Sequence, residues 1–320
     1  MNILLSCIGR RGYIAEYFRS HLNTNDKIIA TGNSELTPGF KYCDLSLIVP
    51  DIDSKDYIPS LLKICQKQKI NILLSFLDPD IDILCQHLDD FRKNAVIPII
   101  PTPIVNNICF DKYLTYIFFK ENNFNTPETY IDFEEAVKDI NRGKLIFPLI
   151  VKPRRGSAST NLFKSRNINE LDAFFHYQPD MIIQQMITGK EYGLDICNDL
   201  DGNVLSVIPR TNIIRRFGET MQAQTCNNST LIDLGLSLGE KLGHVGPLDI
   251  DCFIQDNQPY LIELNPRFGG VYPLSHLAGA DFPGLILKMV QGETINPKIG
   301  EFQSGVIMMK EYKILGGELV

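Results

Sequence analysis

The stretch Leu248–Gly270, LDIDCFIQDNQPYLIELNPRFGG, decides how the chain is read. Asp249, Asp251, Glu263 and Asn265 alternate with Leu248, Ile250, Cys252, Ile254, Ile262 and Leu264. Side chains of a strand alternate between faces, so this is a pair of strands with one polar and one apolar face. A turn over Gln255–Pro259, symmetric about Asn257, sets Asp251 opposite Glu263 and Asp249 opposite Asn265. Like charges directly opposed across a strand pair are destabilising, and a cation between them removes that cost. Hard oxygen ligands of this kind suit Mg²⁺ shared with substrate phosphates. The alternative is a solvated acidic face on an edge hairpin.

Working outward, the chain has 320 residues, 44% apolar and 22% charged, as ordinary globular proteins do. Its 31 basic and 38 acidic residues leave a net charge of −7, which argues against nucleic-acid and anionic-membrane partners. Eight scattered cysteines include no C-x-x-C pair and no zinc spacing, so reduced thiols in a cytoplasmic protein are expected. The start, MNILLSCIGRRG, reads as a first strand rather than a signal peptide, and no run approaches a membrane span.

Residues 1–105 alternate strand and helix patterns. Asn2–Cys7, Lys27–Thr31, Leu45–Val49, Asn71–Phe76 and Val96–Ile100 are the strands, and Asp80–Asn94 is a helix with Ile81, Leu84, Leu88 and Phe91 on one face. Such alternation predicts an open parallel sheet whose ligand side lies past the carboxyl strand ends, at Arg10, Asn33 and Asp78. Gly9-Arg10-Arg11-Gly12 lacks the middle glycine of a dinucleotide fingerprint and reads as a tight turn. Pro98, Pro101 and Pro103 mark a boundary.

Beyond it, Asp111 caps a helix that runs to Asn122–Asn123, with Lys112 in its first turn. A lysine gains nothing from the dipole there unless an anion is also bound; a solvated lysine is the alternative. Leu145–Lys152 is a strand that ends in Lys152-Pro153-Arg154-Arg155 and a small, hydroxylic loop, Gly156–Thr160, suited to phosphate oxygens. Met181–Gln185 is another strand, and Glu191–Asn198 with Asn203–Pro209 a hairpin. Arg210, Arg215 and Arg216 then follow, suited to gripping a carboxylate or forming a basic surface loop. Ser229–Leu242 and Pro283–Gln291 are helices, and Gly305–Tyr312 a last strand.

These pieces together resemble the ATP-grasp superfamily, in particular the modules of carbamoyl-phosphate synthase large subunits and small carboxylate–amine ligases. The resemblance covers nearly the whole chain. It rests on Asp111-Lys112 with Asn125-Thr126-Pro127, on Val151-Lys152-Pro153 and its serine-rich loop, on Gln184-Gln185-Met186-Ile187 with Gly189-Lys190-Glu191, and on Glu263-Leu264-Asn265-Pro266-Arg267-Phe268-Gly269-Gly270. It implies a pre-ATP-grasp α/β domain with a parallel sheet at 1–105, then a two-lobed α+β grasp domain at 106–183 and 184–320. It implies that Lys112 and Lys152 meet the nucleotide phosphates, under the loop with Gly156, Ser157 and Ser159. Gln184, Gln185 and Ile187 would meet adenine, and Glu191 the ribose. Asp251, Glu263 and Asn265 would hold Mg²⁺, two ions being expected and Mn²⁺ an alternative. Arg267, with Asn265, would serve the transferred phosphoryl group, and Arg210 and Arg216 the acid substrate. Two departures stand out: Gln184 replaces a common Glu, and the loop has one glycine where many relatives have more.

The implied activity is ADP-forming ligation: a small carboxylic acid is activated as an acyl-phosphate and joined to an amine. Phosphoryl transfer needs positioning and charge neutralisation rather than a nucleophilic side chain. Bicarbonate chemistry of the carbamoyl-phosphate synthase or carboxylase kind, and a non-catalytic ATP-binding regulator, are the alternatives. A homodimer is common among such proteins.

Overall fold

A computed structural model describes residues 1–156, 160–216 and 218–316. The chain opens with five strands, β1 (Asn2–Ser6), β2 (Lys27–Gly32), β3 (Leu45–Ile48), β4 (Ile72–Ser75) and β5 (Ile97–Pro98). They form one parallel sheet in the order β3-β2-β1-β4-β5, as the alternation predicts. Both faces are covered, which is why its strands read as unbroken apolar runs. Ile3 and Leu5 pack towards α1 (Gly12–Arg19), while Leu4 packs towards α2 (Tyr57–Gln68) and α3 (Asp78–Leu84). The helix expected over Asp80–Asn94 is broken. It comprises α3, a 3₁₀ turn at Cys85–His87 and α4 (Leu88–Lys93).

Two further helices follow, α5 (Pro103–Phe110) and α6 (Lys112–Glu121). The sequence reading found only the second. Thr102 caps α5 and Asp111 caps α6, so the two abut with one residue between them. Val105, Cys109 and Phe119 pack on the large antiparallel sheet described below.

A smaller sheet has β6 (Thr129–Tyr130), β7 (Leu149–Pro153), β8 (Phe163–Ser165) and β9 (Met181–Gln185) in the order β6-β9-β7-β8. It carries α7 (Phe133–Asn141) and α8 (Ile168–Phe175) over Leu149, Val151, Met181 and Ile183.

The large sheet contains β10 (Lys190–Asn198), β11 (Val204–Arg216), β12 (Glu219–Thr225), β13 (Gly246–Gln255) and β14 (Gln258–Asn265), with α9 (Ser229–Leu242) between β12 and β13. After α10 (Tyr272–Leu277) and α11 (Phe282–Val290), short strands β15 (Lys298–Ile299) and β16 (Ile307–Met309) join β11 and β12. The arginines read as part of a loop therefore sit in a strand: β11 runs on through Arg216 and turns back into β12.

The opening hairpin pairs Asp251 with Glu263 and Asp249 with Asn265. The turn differs from expectation. Gln255 pairs with Gln258, and Asp256 and Asn257 make the turn at φ of +51° and +60°. Both central residues at positive φ match the right-handed twist of a hairpin. That register alone would have put Asp251 opposite Ile262. A bulge, at which Cys252 pairs with Leu261 while Asp251 pairs with Glu263, restores it.

Finally, α10 and α11 bridge the large sheet and the first one: Leu274 of α10 packs against Ala223 of β12 and Met308 of β16. Phe268, Tyr272, Phe282 and Ile286 share a core with Ile3, Leu5, Phe18 and Phe76. The turn after β14 is thereby plugged into the N-terminal domain.

Candidate active site

The polar face of the large sheet is the floor. Gly193 pairs with both Arg210 and Asp251, so Gly193, Asp195, Arg210, Asp249 and Asp251 face the same way. The opposite face carries Leu194, Ile196, Ile250 and Cys252 against α9. Asp251 is pushed up to about 7 by burial and by the carboxylates of Asp249 and Glu263.

Two lysines approach from the other elements. Lys112 Nζ donates to Gly156 O at 2.5 Å and lies 3.6 Å from Glu263 Oε1. Its helix is fastened there by Asp111, which accepts from Tyr113 N and Leu114 N and forms an ion pair with Arg154 at 2.8 Å. Lys152, at the end of β7, is only 6% exposed. Burial, and secondarily the Lys112 charge, pull it down to about 8. The site thus holds crowded carboxylates beside crowded ammonium groups.

Arg267 closes the far end. Its Nε lies 2.7 Å from Asp78 Oδ1, and its Nη2 donates to Asn265 Oδ1 at 3.2 Å. Burial works against its charge, but Asp78, with Asp249 and Glu263 behind it, holds the guanidinium above its ordinary value.

Arg210 is not where the sequence reading put it. It is 1% exposed, with Nη2 at 2.5 Å from Asp249 Oδ1 and Nη1 at 3.1 Å from Asp195 Oδ2. Ser275 Oγ donates to the same Asp195 oxygen at 2.5 Å. A guanidinium locked between two buried carboxylates is built into the floor. Gly193 makes this possible, since a Cβ there would stand 2.5 Å from Arg210 Cζ. Arg216 is exposed at the β11–β12 turn.

At the other end, Gln184 is buried and its Nε2 donates to Thr129 Oγ1 at 2.9 Å. Gln185 N donates to Glu128 O at 2.8 Å, and Ile187 is 8% exposed. Glu191 Oε1 accepts from Arg215 Nη1 at 2.6 Å and Asn212 Nδ2 at 2.8 Å. Ser157 and Ser159 lie outside the described residues.

Sequence reasoning missed Asp195 and Arg11. Asp195 had a signal, because Glu191, Gly193 and Asp195 alternate like the polar set of the opening hairpin. Arg11 had none: its Nη1 donates to Phe76 O and Phe268 O, both at 3.0 Å, across a contact no local pattern announces.

Among the described residues, no three His, Cys, Asp or Glu side chains gather as a metal site. Asp251, Glu263 and Asn265 supply two carboxylates and an amide oxygen, a donor set of the kind Mg²⁺ takes when substrate phosphates and water complete its shell. The repulsion that raises Asp251 is what such a cation would relieve.

Comparison with known proteins agrees with this fold. The family model described as the ATP-grasp domain matches residues 109–271, and that of the PylC-like N-terminal domain matches residues 3–100. D-alanine–D-alanine ligase A of Bacillus cereus is 22% identical over 246 residues, covering 68% of this chain and 79% of the relative. The biotin carboxylase domain of Hydrogenobacter thermophilus 2-oxoglutarate carboxylase superposes with a TM-score of 0.79 at 14% identity, over 96% of this chain and 73% of that one. The L-amino acid ligase of Bacillus licheniformis superposes with a TM-score of 0.71 at 19% identity, over 95% and 77% of the two chains. The likeness to carbamoyl-phosphate synthase expected from the motifs is only distant. No helix among the described residues is long and apolar enough to cross a membrane.

Proposed function

The chain belongs to the ATP-grasp family, and from that premise we propose that it is an ADP-forming ligase that activates a small carboxylic acid as an acyl-phosphate and joins it to an amine. The observation that carries the reading is the meeting of Lys112 and Glu263, 3.6 Å apart, where two lysines and two carboxylates from separate elements share one cleft. Neither set is content alone. A phosphate chain with its cation satisfies both.

In this reading Lys112 and Lys152 bind the nucleotide phosphates under the loop that begins at Gly156. Gln184, with its Nε2 held by Thr129, keeps Oε1 for the adenine amino group. Gln185 and Ile187 flank the base, and Glu191 takes the ribose hydroxyls. Asp251, Glu263 and Asn265 hold Mg²⁺, which would neutralise phosphate charge during transfer; two ions are expected, and Mn²⁺ can substitute. Arg267 neutralises the transferred phosphoryl group, positioned by Asp78. The carboxylate oxygen attacks the γ-phosphorus and ADP leaves. The amine then adds to the acyl carbon, phosphate departs, and the amine's proton passes to solvent or a nearby base. Domain limits of 1–105, 106–183 and 184–320, a cytoplasmic setting and a homodimer belong to the same reading.

The test is product analysis. With Mg²⁺-ATP and a pool of acids, bicarbonate included, and amines, ADP and phosphate should appear only when a productive acid is present. AMP and pyrophosphate would sink the acyl-phosphate route. Bicarbonate alone sufficing would turn the reading towards carboxylation.

A further inference from the structure

Positive charge collects on the N-terminal side of Arg267, although the chain as a whole carries −7. Arg10 Nη2 lies 2.6 Å from Glu219 Oε1, and Lys310 Nζ lies 3.7 Å from the other oxygen of the same carboxylate. Among the described residues, Arg11 reaches only carbonyl oxygens, of Phe76 and Phe268. Arg267 has Asp78. Among the described residues, four cations, Arg10, Arg11, Arg267 and Lys310, therefore share Glu219 and Asp78, with Asp249, already paired to Arg210, lying 3.9 Å from Arg267 Nη1. Arg210 adds nothing to the surplus, because Asp195 and Asp249 already flank it.

The cations surround one turn. Arg11 holds the Phe268 carbonyl, and a Cβ on Gly270 would stand 3.6 Å from Lys310 Nζ. Lys310 is fixed beside it by its own N–H, which donates to Met221 O at 2.9 Å. Arg11 is pulled down to about 10 by burial and by the Arg267 charge, and burial lowers Lys310 with Arg11 and Arg10 adding to it. Groups held this close without enough counter-charge are stabilised by an anion.

We propose that Arg11 and Lys310, on either side of the Arg267–Gly270 turn, bind an anionic group of the substrate remote from the carboxylate being activated, so that the substrate carries two anionic groups: a dicarboxylic or a phosphorylated acid. The inference rests on the ligase reading and names its substrate class. Glu219 keeps its short pair with Arg10, and its longer contact with Lys310 is the one an incoming anion replaces.

Calorimetric titration of the full chain preloaded with Mg²⁺-ADP tests this, with glutarate, phosphoglycolate and the monoanion butyrate as probes. One of the two probes with a second anionic group should bind at least tenfold more tightly than butyrate, and which one identifies the remote group. Lys310→Met should erase that preference while leaving Mg²⁺-ADP and butyrate binding as they were. Arg11→Met should do the same, but it also unties Phe76 from Phe268, so Lys310→Met decides. Equal binding of all three probes, or a preference that survives Lys310→Met, overturns the proposal. Failure of the unaltered chain to bind Mg²⁺-ADP would strike the ligase reading itself, and this inference with it.

Discussion

Arg267 and Asp78 form a two-pronged ion pair, Nε to Oδ1 at 2.7 Å and Nη2 to Oδ2 at 3.2 Å, across 189 residues of sequence. It joins the turn after β14 to the first residue of α3. Phe268 anchors the same turn by packing on Phe76 and Phe18. Asp78 is in turn steadied by its helix, where Asp80 accepts from Tyr57 Oη and Ser75 Oγ, both at 2.7 Å. Planar bidentate pairing fixes a guanidinium in direction as well as place.

Asp78→Asn should therefore lower kcat by about 10²-fold, the usual cost of a small misplacement at a reacting centre. Nucleotide affinity, set at the other end of the cleft, should stay within twofold. Asp78→Ala, which leaves a nearly buried guanidinium with only its 3.9 Å contact to Asp249 as counter-charge among the described residues, should also lower stability by about 3 kcal/mol in urea unfolding. Steady-state ADP release and nucleotide titration separate the effects; a weakened nucleotide with unchanged kcat would place Arg267 elsewhere in the reaction.

Glu263→Gln should abolish ADP release yet leave the fold standing. The amide keeps the size of the carboxylate and removes a charge that faces Lys112, Lys152 and a bound cation. Thermal melting without Mg²⁺ should match the parent chain, and the rise on adding Mg²⁺-ADP should shrink. Turnover near the parent rate would remove Glu263 from the metal set.

The polar floor was legible because strand alternation is local: Asp249, Asp251, Glu263 and Asn265 carry their own parity. The opposed pairs came out correctly from an incorrect turn, because the tighter Asp256-Asn257 turn is offset by the bulge beside Leu261. Arg210, read as the start of a loop, lies in a strand, and it was misplaced for the converse reason. Its fate depends on Gly193 and Asp195 of the neighbouring strand, and a bare glycine across a strand pair leaves no mark on the arginine's own neighbourhood. Asp78 and Arg11 act through contacts between the first sheet and the turn after β14, and no period in the sequence encodes those.

Nucleotide binding should carry a proton with it. Lys152 is pulled down to about 8, so at pH 8.5 it is mostly neutral in the free protein. Phosphate oxygens favour the charged form, so binding draws its pKa back up and takes up a proton. Apparent ADP affinity should then fall as pH rises from 8 towards 10. The linked stability has the opposite sign: a lysine lowered in the folded state costs stability at pH below about 8 and ceases to cost it as pH rises through the ordinary value of 10.5. Calorimetry of ADP binding at pH 8.5 in two buffers of different ionisation heat measures the uptake. Lys152→Met should abolish it and weaken binding; equal heats in both buffers for the parent chain would exclude Lys152 from the phosphate site.

Gly193→Ala probes the floor without touching a charge. Its Cβ would stand 2.5 Å from Arg210 Cζ and Nη2, so the guanidinium must leave Asp195, Asp249 or both. Breaking a buried pair leaves uncompensated charge and costs about 3–5 kcal/mol. Arg210→Met should cost a similar amount, and the two changes together little more than either, because each disrupts the same contacts. The loss should also grow with pH. Asp195 already stands at about 6, raised by burial and held back by Arg210. Without that arginine it rises further above its unfolded value, and stability present at low pH disappears as pH climbs through the new value. Urea unfolding of the parent, both single variants and the double variant at pH 5.5 and 8 measures this. Additive losses would mean that Gly193 and Arg210 stabilise the floor independently, and a deficit that does not widen at pH 8 would mean that Asp195 is not the group Arg210 holds charged.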